Sequence, residues 1–356
     1  MLPALAAGAA VLLKPLEVTP LSAVEFVRGW TEIGAPPVLA LATGYGETGA
    51  AVIDNSDYVQ FTGSCATGKK VAVACAERLI PCGLELGGKD PALVLADADL
   101  DRAANGITFG GMFNSGQVCV SVERVYVEAP VYDEFVAKLT ESVRRLRQGQ
   151  DDRKVAFDVG ALATMVQRDK VQAHVDAAVA AGARALTGGK PTGTGTFFEP
   201  TVLVDVDQSM ACMNEETFGP TLPVVKVADE AEAIRLANDS VYGLSATVWT
   251  RDKERGERIA RLLEVGAVNI NDGGSNLFAW DVPMGGWKQS GIGTRLGGAA
   301  GILKYSRPQV ITQPRIPTQA KEILWYPVSQ RRIKLAASLV RASAARGVRR
   351  FGIKPR

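Results

Sequence analysis

Short β-rich runs alternate with helical patterns along the first part of the chain, and this alternation constrains the fold most strongly. Strands are predicted at Ala10–Leu13, Val38–Ala42, Tyr58–Thr62 and Gly83–Leu86, and helices at Leu21–Ile33, Glu47–Ile53 and Ala66–Leu79. Strands separated by helices form parallel sheets with helices on their faces. The pattern therefore predicts an α/β fold with a parallel sheet. Ligands bind such sheets at the carboxyl ends of the strands.

A second series of the same kind begins beyond Asp90. Its predicted strands are Arg124–Val127, Ala185–Leu186, Thr201–Val204, Leu222–Val227, Ala246–Thr250 and Ala267–Asn271. Its predicted helices are Val131–Arg147, Ala163–Ala181, Glu230–Asp239 and Lys253–Leu263. A length of 356 residues suggests about two domains, and we expect the boundary between them near Gly87–Pro91.

Charge and composition exclude several classes of function. The net charge of +2 gives no reason to expect a nucleic-acid partner. Five cysteines without a regular framework favour a reducing compartment, and hence the cytoplasm, and their spacing fits no metal site. The only histidine, His174, is interpreted as an ordinary surface or core residue. A general base is therefore expected to be a carboxylate.

Cys119 is the candidate nucleophile. It follows an amphipathic segment, Leu100–Met112, and precedes the β-branched run Val122–Val127, so it lies at a Gly-containing junction between a helix and a strand. Backbone N–H groups can face a ligand at such a junction. An isolated cysteine is more often buried and inert, so this interpretation depends on the segments that accompany it.

Gly63–Lys70 follows a predicted strand and opens a helix, as a phosphate-binding loop does. It nearly matches the P-loop pattern, so a nucleotide hydrolase is an alternative, but Lys70 stands where that pattern needs Ser or Thr. A tight turn without a ligand is the third interpretation. Nearer the N-terminus, Glu17 could accept both hydroxyls of an adenosine ribose beside Lys14. A carboxylate there favours NAD over NADP, although Glu17 could equally be a helix-start acid.

Six segments, in order, resemble motifs of the aldehyde dehydrogenase superfamily. They are LLKPLEVTPLSA, FTGSCATG, LELGGKDP, GQVC, EETFGP and PMGGWKQSGIG, and the resemblance covers roughly residues 1–312. Glu85 precedes Cys119 by 34 residues and Glu216 follows it by 97, as in that family. The implied fold is aldehyde dehydrogenase-like, with two Rossmann-like parallel α/β domains, and the implied activity is oxidation of an aldehyde with NAD or NADP.

The resemblance assigns roles to individual residues. Cys119 is implied to be the nucleophile and Glu85 the base that activates the deacylating water. No metal is implied. The residues implied to bind the cofactor are Lys14, Glu17, Gly63, Ser64, Gly68, Leu86, Gly87, Glu216 and Phe218. Among these, Gly63 and Ser64 would contact the pyrophosphate, Glu216 would hold the nicotinamide ribose, and Phe218 would pack beside the nicotinamide.

The resemblance also implies a domain division and an upstream segment. We expect a partial cofactor domain at 1–88, a catalytic domain at 89–285, a C-terminal return segment with an oligomerisation strand at 286–312, and a basic extension at 313–356. The family places a strand of the cofactor sheet and an oxyanion-hole asparagine before the first residue here. The cofactor domain is therefore expected to be incomplete at its N-terminus, and this chain alone to be poorly soluble or inactive. A full-length form would be a homodimer or homotetramer.

The stretch around FAWDVPMGG looks closest to bacterial succinate-semialdehyde dehydrogenases, so succinate semialdehyde is the expected small-molecule substrate. Phe113 stands where some of those enzymes carry an arginine, which leaves a general aliphatic or aromatic aldehyde as the alternative, and an inactive relic as another. The last segment, Gln319–Arg356, is basic. A solvated helix is favoured there over a membrane-surface helix, because the segment is rich in alanine and lacks bulky aromatic anchors.

Overall fold

The computed structural model describes residues 1–150, 156–293, 297–315, 320 and 325–344. The chain forms two compact units, Met1–Ser306 and Arg307–Arg356. Among the described residues, no helix is long and apolar enough to cross a bilayer. The alternation of strands and helices predicted from the sequence is confirmed. For most elements, the observed boundaries differ from the predicted ones by one to three residues.

The first part of the chain forms two small sheets. Its elements are α1 (Leu2–Ala6), β1 (Val11–Leu13), α2 (Leu21–Glu32), β2 (Leu39–Leu41), α3 (Gly46–Asp54), β3 (Val59–Thr62), α4 (Cys65–Glu77) and β4 (Cys82–Glu85). Strands β1 and β2 pair in parallel, and β3 pairs in parallel with β4. The single parallel sheet expected for these four strands is thus found as two separate pairs. The periodicity of a sequence predicts strands but not which strands become neighbours.

A longer series follows. It comprises β5 (Asp90–Val94), α5 (Leu100–Met112), β6 (Val122–Glu128), α6 (Tyr132–Arg144), α7 (Met165–Ala180), β7 (Arg184–Thr187), β8 (Thr201–Val204), α8 (Ala211–Asn214), β9 (Thr221–Val227), α9 (Glu230–Asn238), β10 (Tyr242–Gly243), β11 (Ser245–Trp249), α10 (Lys253–Ala260) and β12 (Ala267–Ile270). The last elements are β13 (Trp287–Lys288), β14 (Gly291–Ile292), α11 (Gly298–Leu303) and α12 (Gln330–Ala344).

Seven of these strands form the main sheet, in the order β12-β11-β5-β6-β9-β8-β7. All neighbours in it run parallel except β7 and β8. The residues of β6 and β11 are buried along their whole length, as expected for central strands covered on both faces. Side chains alternate between the faces, so Leu93 joins one core cluster while Ala92 and Val94 join the other.

The pair of β3 and β4 gains a third strand from a later part of the chain. Strand β14 pairs antiparallel with β4, and Gly291 lies opposite Glu85. A small apolar cluster, which includes Val71, Cys75 and Leu84, packs α4 against this sheet. The carboxyl end of β4 therefore has a fixed position, and the chain passes from it directly into β5 of the main sheet.

Candidate active site

Cys119 lies in a tightly constrained turn between α5 and β6. Asn114, Ser115 and Gly116 have consecutive left-handed φ values of 52°, 60° and 72°, which residues other than glycine rarely adopt. The hydroxyl of Ser115 donates to the carbonyl oxygen of Gly160 at 2.9 Å, and the side chain of Gln117 accepts from the N–H of Ala163 at 2.8 Å. These bonds hold the turn in its strained conformation.

Gly116 must be glycine for a second reason. A Cβ at this position would lie 2.2 Å from the carbonyl oxygen of Gly219. The turn that carries Cys119 therefore packs directly against the backbone that follows Phe218, in the EETFGP segment. Two motifs that are about 100 residues apart in sequence meet here without any intervening side chain.

Glu85 ends β4 and is only 8% exposed. It is close enough to Cys119 for its charge to raise the pKa of the thiol. A cavity borders Glu85 and is lined by Leu84, Glu85, Gly285, Gly286, Trp287, Ile292 and Gly293. The predicted base therefore has space beside its carboxylate, and its charge acts on the thiol of the predicted nucleophile, while the catalytic roles of both residues stay predictions.

Glu216 meets the same site through the backbone that follows Glu85. A Cβ on Gly87 would lie 2.5 Å from a carboxylate oxygen of Glu216, and the N–H of Gly88 donates to Glu216 Oε1 at 3.1 Å. A Cβ on Gly88 would likewise lie 2.5 Å from the carbonyl oxygen of Cys119. These two glycines permit the close approach that joins the three motifs.

The electrostatic environment opposes ionisation of the Cys119 thiol and of the Glu216 carboxyl. Burial, followed by the charges of Asp90, Glu85 and Glu216, raises the pKa of the Cys119 thiol to about 11. A hydrogen bond from the N–H of Val120 acts in the opposite direction. Burial also raises the pKa of Glu216 to about 7, and the neighbouring Glu123 adds to the effect.

The predicted phosphate loop lies beside this centre. The N–H of Gly63 donates to the carbonyl oxygen of Glu85 at 3.1 Å, and Ser64 caps α4 by accepting from the N–H of Thr67 at 3.3 Å. A Cβ on Gly68 would lie 2.4 Å from the side chain of Leu86. Gly63, Ser64, Gly68, Leu86 and Gly87 are therefore assembled around the junction of β3, β4 and α4.

Lys14 and Glu17 form a local ion pair after β1. The Lys14 ammonium donates to Glu17 Oε2 at 2.9 Å and to the carbonyl oxygen of Pro15 at 3.0 Å. The bond from Lys14 holds the pKa of Glu17 below its usual value. Both side chains remain partly exposed, and these bonds stay within one short segment.

A buried polar network that sequence reasoning missed supports the site. The Lys89 ammonium donates to Glu123 Oε2 at 2.6 Å and to the Thr217 hydroxyl at 3.0 Å. Glu123 also accepts from the N–H groups of Thr217 at 2.7 Å and Phe218 at 2.8 Å. Phe218 itself has a left-handed φ of 54°. The sequence signal for this pair is the charge of Glu123 within a strand that contains three valines and is buried along its length.

Two other residues have structural roles. His174 is buried, with Nδ1 at 3.1 Å from the Thr217 hydroxyl, and burial lowers its pKa. Its interpretation as a core histidine agrees with this position. Arg124 is 1% exposed and donates to the carbonyl oxygens of Lys89, Leu236 and Ala237. Its guanidinium is therefore committed to the backbone and does not serve a substrate carboxylate.

Comparison with known proteins decides the family. A model described as the aldehyde dehydrogenase family matches residues 1–311. The chain belongs to the aldehyde dehydrogenase family. This confirms the resemblance seen in the six motifs, and the α/β aldehyde dehydrogenase-like fold predicted from them is confirmed by solved structures. The nucleotide-hydrolase alternative has no support beside this match.

Relatives of this chain have several names. A protein from Mycolicibacterium smegmatis, provisionally named succinate-semialdehyde dehydrogenase [NADP(+)], is 44% identical over 320 residues, which are 88% of this chain and 62% of the relative. A 4,4'-diapolycopene aldehyde oxidase from Methylomonas is 45% identical over 333 residues, 92% of this chain and 61% of the relative. The chain thus spans about three fifths of the length of these curated relatives.

A crystal structure of a Mycobacterium tuberculosis aldehyde dehydrogenase complexed with NAD+ superposes with a TM-score of 0.84. The two sequences are 39% identical, and the match covers 89% of this chain and 66% of that one. A lactaldehyde dehydrogenase from Escherichia coli gives a TM-score of 0.83 at 38% identity, with 87% and 65% of the two chains covered.

The raised thiol pKa predicts how Cys119 reacts with an alkylating reagent. Only the thiolate reacts efficiently, so alkylation by iodoacetamide should be slow at pH 7 and should accelerate as the pH rises toward 11. Glu216→Gln removes one of the negative charges that raise this pKa. At pH 8, above the pKa of Glu216, it should therefore increase the rate of Cys119 alkylation several-fold.

Peptide-resolved mass spectrometry measures this rate separately for each cysteine. Glu215→Gln is the matched control, because Glu215 is adjacent in sequence but its side chain is 68% exposed. Equal alkylation rates for Glu216→Gln and Glu215→Gln would show that the carboxylate of Glu216 does not act on the sulfur.

Removal of the Glu123 carboxylate should destabilise the protein. Glu123→Ala leaves the buried Lys89 ammonium and two backbone N–H groups without their acceptor, and loss of one partner of a buried pair typically costs about 3 to 5 kcal/mol. Urea unfolding measures the free-energy change. Glu141→Ala, an exposed position on α6, is the control and should cost less than about 1 kcal/mol. An unchanged unfolding midpoint for Glu123→Ala would contradict the role of this network.

Proposed function

We propose that this chain carries out the NAD(P)-dependent oxidation of an aldehyde to a carboxylic acid through a covalent bond to Cys119. The observation that carries the proposal is the meeting of Cys119, Glu85 and Glu216 around the Gly87–Gly88 backbone. The family match supports it. A nucleophile, a carboxylate base and a second carboxylate at a cofactor loop are the groups that this reaction requires.

The residues of the chain account for the bond changes. The Cys119 thiolate forms a bond to the aldehyde carbon, giving a thiohemiacetal oxyanion. Loss of a hydride from that carbon would leave a thioester, and a nicotinamide cofactor would supply the hydride acceptor when bound. Glu85 then takes a proton from water, and the water oxygen bonds to the thioester carbon. The carbon–sulfur bond breaks, which releases the acid and restores Cys119.

The first residues of α4 fit the phosphates of such a cofactor. Ser64 caps this 13-residue helix, whose first turn contains no acidic residue, so its N–H groups present a positive end to an anion. Lys69 lies in the same helix, and its ammonium donates to Gln289 at 3.0 Å. Gly63 directly precedes this capped helix, while Gly68 and Gly87 leave room for the side chains of Leu86 and Glu216. Glu216 and Phe218 remain the residues proposed to contact the nicotinamide half.

Succinate semialdehyde is the proposed substrate, supported by the names of relatives with 42 to 44% identity. A second candidate is an aldehyde with an apolar chain. Phe109 and Phe113 are 50% and 42% exposed, and their ring centroids are 5.4 Å apart, directly before the turn that carries Cys119. An aromatic pair at this place favours an apolar substituent over a carboxylate. The homo-oligomeric state and the cytoplasmic location stay predictions.

Turnover of the purified chain decides between this proposal and the sequence-based expectation that the chain alone is inactive. Formation of reduced cofactor should occur with an aldehyde and should be abolished by Cys119→Ala. Glu85→Gln should retain a stoichiometric burst of reduced cofactor but lower the steady-state rate by about 10²- to 10⁴-fold, because water attack on the thioester then lacks its base. Cys82→Ala is the control and should retain the rate of the wild type.

Absorbance at the wavelength of reduced cofactor follows the reaction, and circular dichroism shows whether each variant is folded. Comparison of kcat/KM for succinate semialdehyde with that for a medium-chain aliphatic aldehyde distinguishes the two substrate candidates. A folded wild-type chain that forms no reduced cofactor with either aldehyde would contradict the proposed activity and favour the inactive alternative.

Cofactor preference should depend on Glu17. The bond from Lys14 lowers the pKa of this carboxyl, so it remains ionised at neutral pH and would repel a 2′-phosphate. Glu17→Gln should therefore shift the ratio of Kd values toward NADP by about fivefold, the effect of roughly 1 kcal/mol between charges in a hydrated site. Fluorescence titration measures both Kd values. Glu25→Gln is the exposed control on α2, and an unchanged ratio for Glu17→Gln would contradict this role.

A further inference from the structure

Charge is distributed very unevenly along this chain. Residues 307–356 contain twelve lysines and arginines and one acidic residue, a net charge of +11. The net charge of the whole chain is +2, so residues 1–306 carry −9. Such asymmetry between the parts of a chain is typical of a segment that binds an anionic surface.

Three of the four basic residues of helix α12 (Gln330–Ala344) lie on one side. Arg331, Lys334, Ser338 and Arg341 are spaced three or four residues apart, so they form one polar stripe along the helix. Another stripe, Ile333, Ala337, Val340 and Ala344, is apolar. Leu335 and Leu339 widen the apolar side. Arg332 also lies on that side, where a long side chain can extend its charge toward water.

The apolar side of α12 is open to solvent. The exposed fractions of Ile333, Leu335, Leu339 and Val340 lie between 50% and 66%. Four exposed large aliphatic residues on one short helix indicate a surface that another apolar phase covers. The amphipathic arrangement suits a position in the plane of a membrane interface, with the apolar side toward the acyl chains.

Aromatic residues precede the helix. Trp325 is 57% exposed and Tyr326 is 85% exposed, a few residues before Gln330. The sequence interpretation of this segment as a solvated helix rested partly on a lack of bulky aromatic anchors, and these two residues correct that reasoning. Trp and Tyr are the residues that favour the boundary between lipid headgroups and acyl chains. Arg346, Arg349, Arg350 and Lys354, which lie outside the described residues, add positive charge to the same segment.

We propose that residues 325–344 are a membrane-surface anchor that binds bilayers containing anionic lipids. The polar stripe contributes attraction to the lipid charge, while the aromatic pair and the apolar side enter the interface. Nucleic acid would satisfy the charge alone and would leave the apolar side exposed, so an anionic bilayer is the better match to both properties. This anchor is independent of the chemistry at Cys119.

Co-sedimentation of the full chain with lipid vesicles tests the proposal. The chain should bind vesicles in which a third of the lipid is phosphatidylglycerol, should bind pure phosphatidylcholine much more weakly, and should be released by high salt. The triple variant Arg331→Gln/Lys334→Gln/Arg341→Gln should bind about a hundredfold more weakly, since each basic residue near an anionic surface contributes roughly fivefold. Ile333→Ser/Val340→Ser should also weaken binding.

A matched control separates this surface from general charge attraction. Arg145→Gln/Arg235→Gln/Arg261→Gln removes three exposed basic side chains from residues 1–306 and should bind like the wild type. Tryptophan fluorescence should shift to shorter wavelength on addition of anionic vesicles, and Trp325→Phe should reduce that shift. Circular dichroism verifies that every variant is folded.

Three results would overturn the proposal. One is equal binding to anionic and neutral vesicles, or to neither. Another is an equal loss of binding in the control variant and in the α12 variant. The third is tight binding to duplex DNA without binding to anionic vesicles, which would assign the basic surface to nucleic acid.

Discussion

The buried ion pair between Lys89 and Glu123 is the interaction on which the geometry of the site depends. Lys89 lies four residues after Glu85, and Glu123 lies four residues after Cys119. Glu123 accepts from the backbone N–H groups of Thr217 and Phe218, directly after Glu216. One buried pair therefore links the three segments that carry Glu85, Cys119 and Glu216. Because each partner has several hydrogen bonds, the pair meets the condition under which buried charges specify a single arrangement.

Backbone contacts through glycine complete this arrangement. Gly87 and Gly88 touch Glu216 and the carbonyl of Cys119, and Gly116 touches the carbonyl of Gly219. A single methyl group at any of these positions would separate two of the motifs, because the facing atoms are carbonyl or carboxylate oxygens held by other bonds. The absence of side chains at these glycines therefore allows the segments to approach closely, and the ion pair between Lys89 and Glu123 stabilises their contact.

The sequence predicts the groups that carry chemistry better than the groups that position them. Motif and spacing identify Cys119, Glu85 and Glu216, whose roles stay predictions, and the Gly87–Gly88 backbone after Glu85 contacts both Glu216 and the carbonyl of Cys119. The Lys89–Glu123 pair was missed because a buried charge is recognisable only together with its partner, which lies 34 residues away. Strand β5 was missed because it begins with Asp90-Pro91, residues that usually interrupt strands. Strand neighbours depend on contacts that no local pattern contains.

The charge around Cys119 determines when its sulfur can react. With a pKa of about 11, nearly all of the protein at neutral pH carries the neutral thiol, which is a weak nucleophile. Burial also raises the pKa of Asp90 itself well above its usual value. Glu216 titrates near pH 7. A ligand that neutralises Glu216, or brings positive charge beside it, therefore lowers the thiol pKa at the same time. The reactivity of Cys119 consequently depends on what occupies the site.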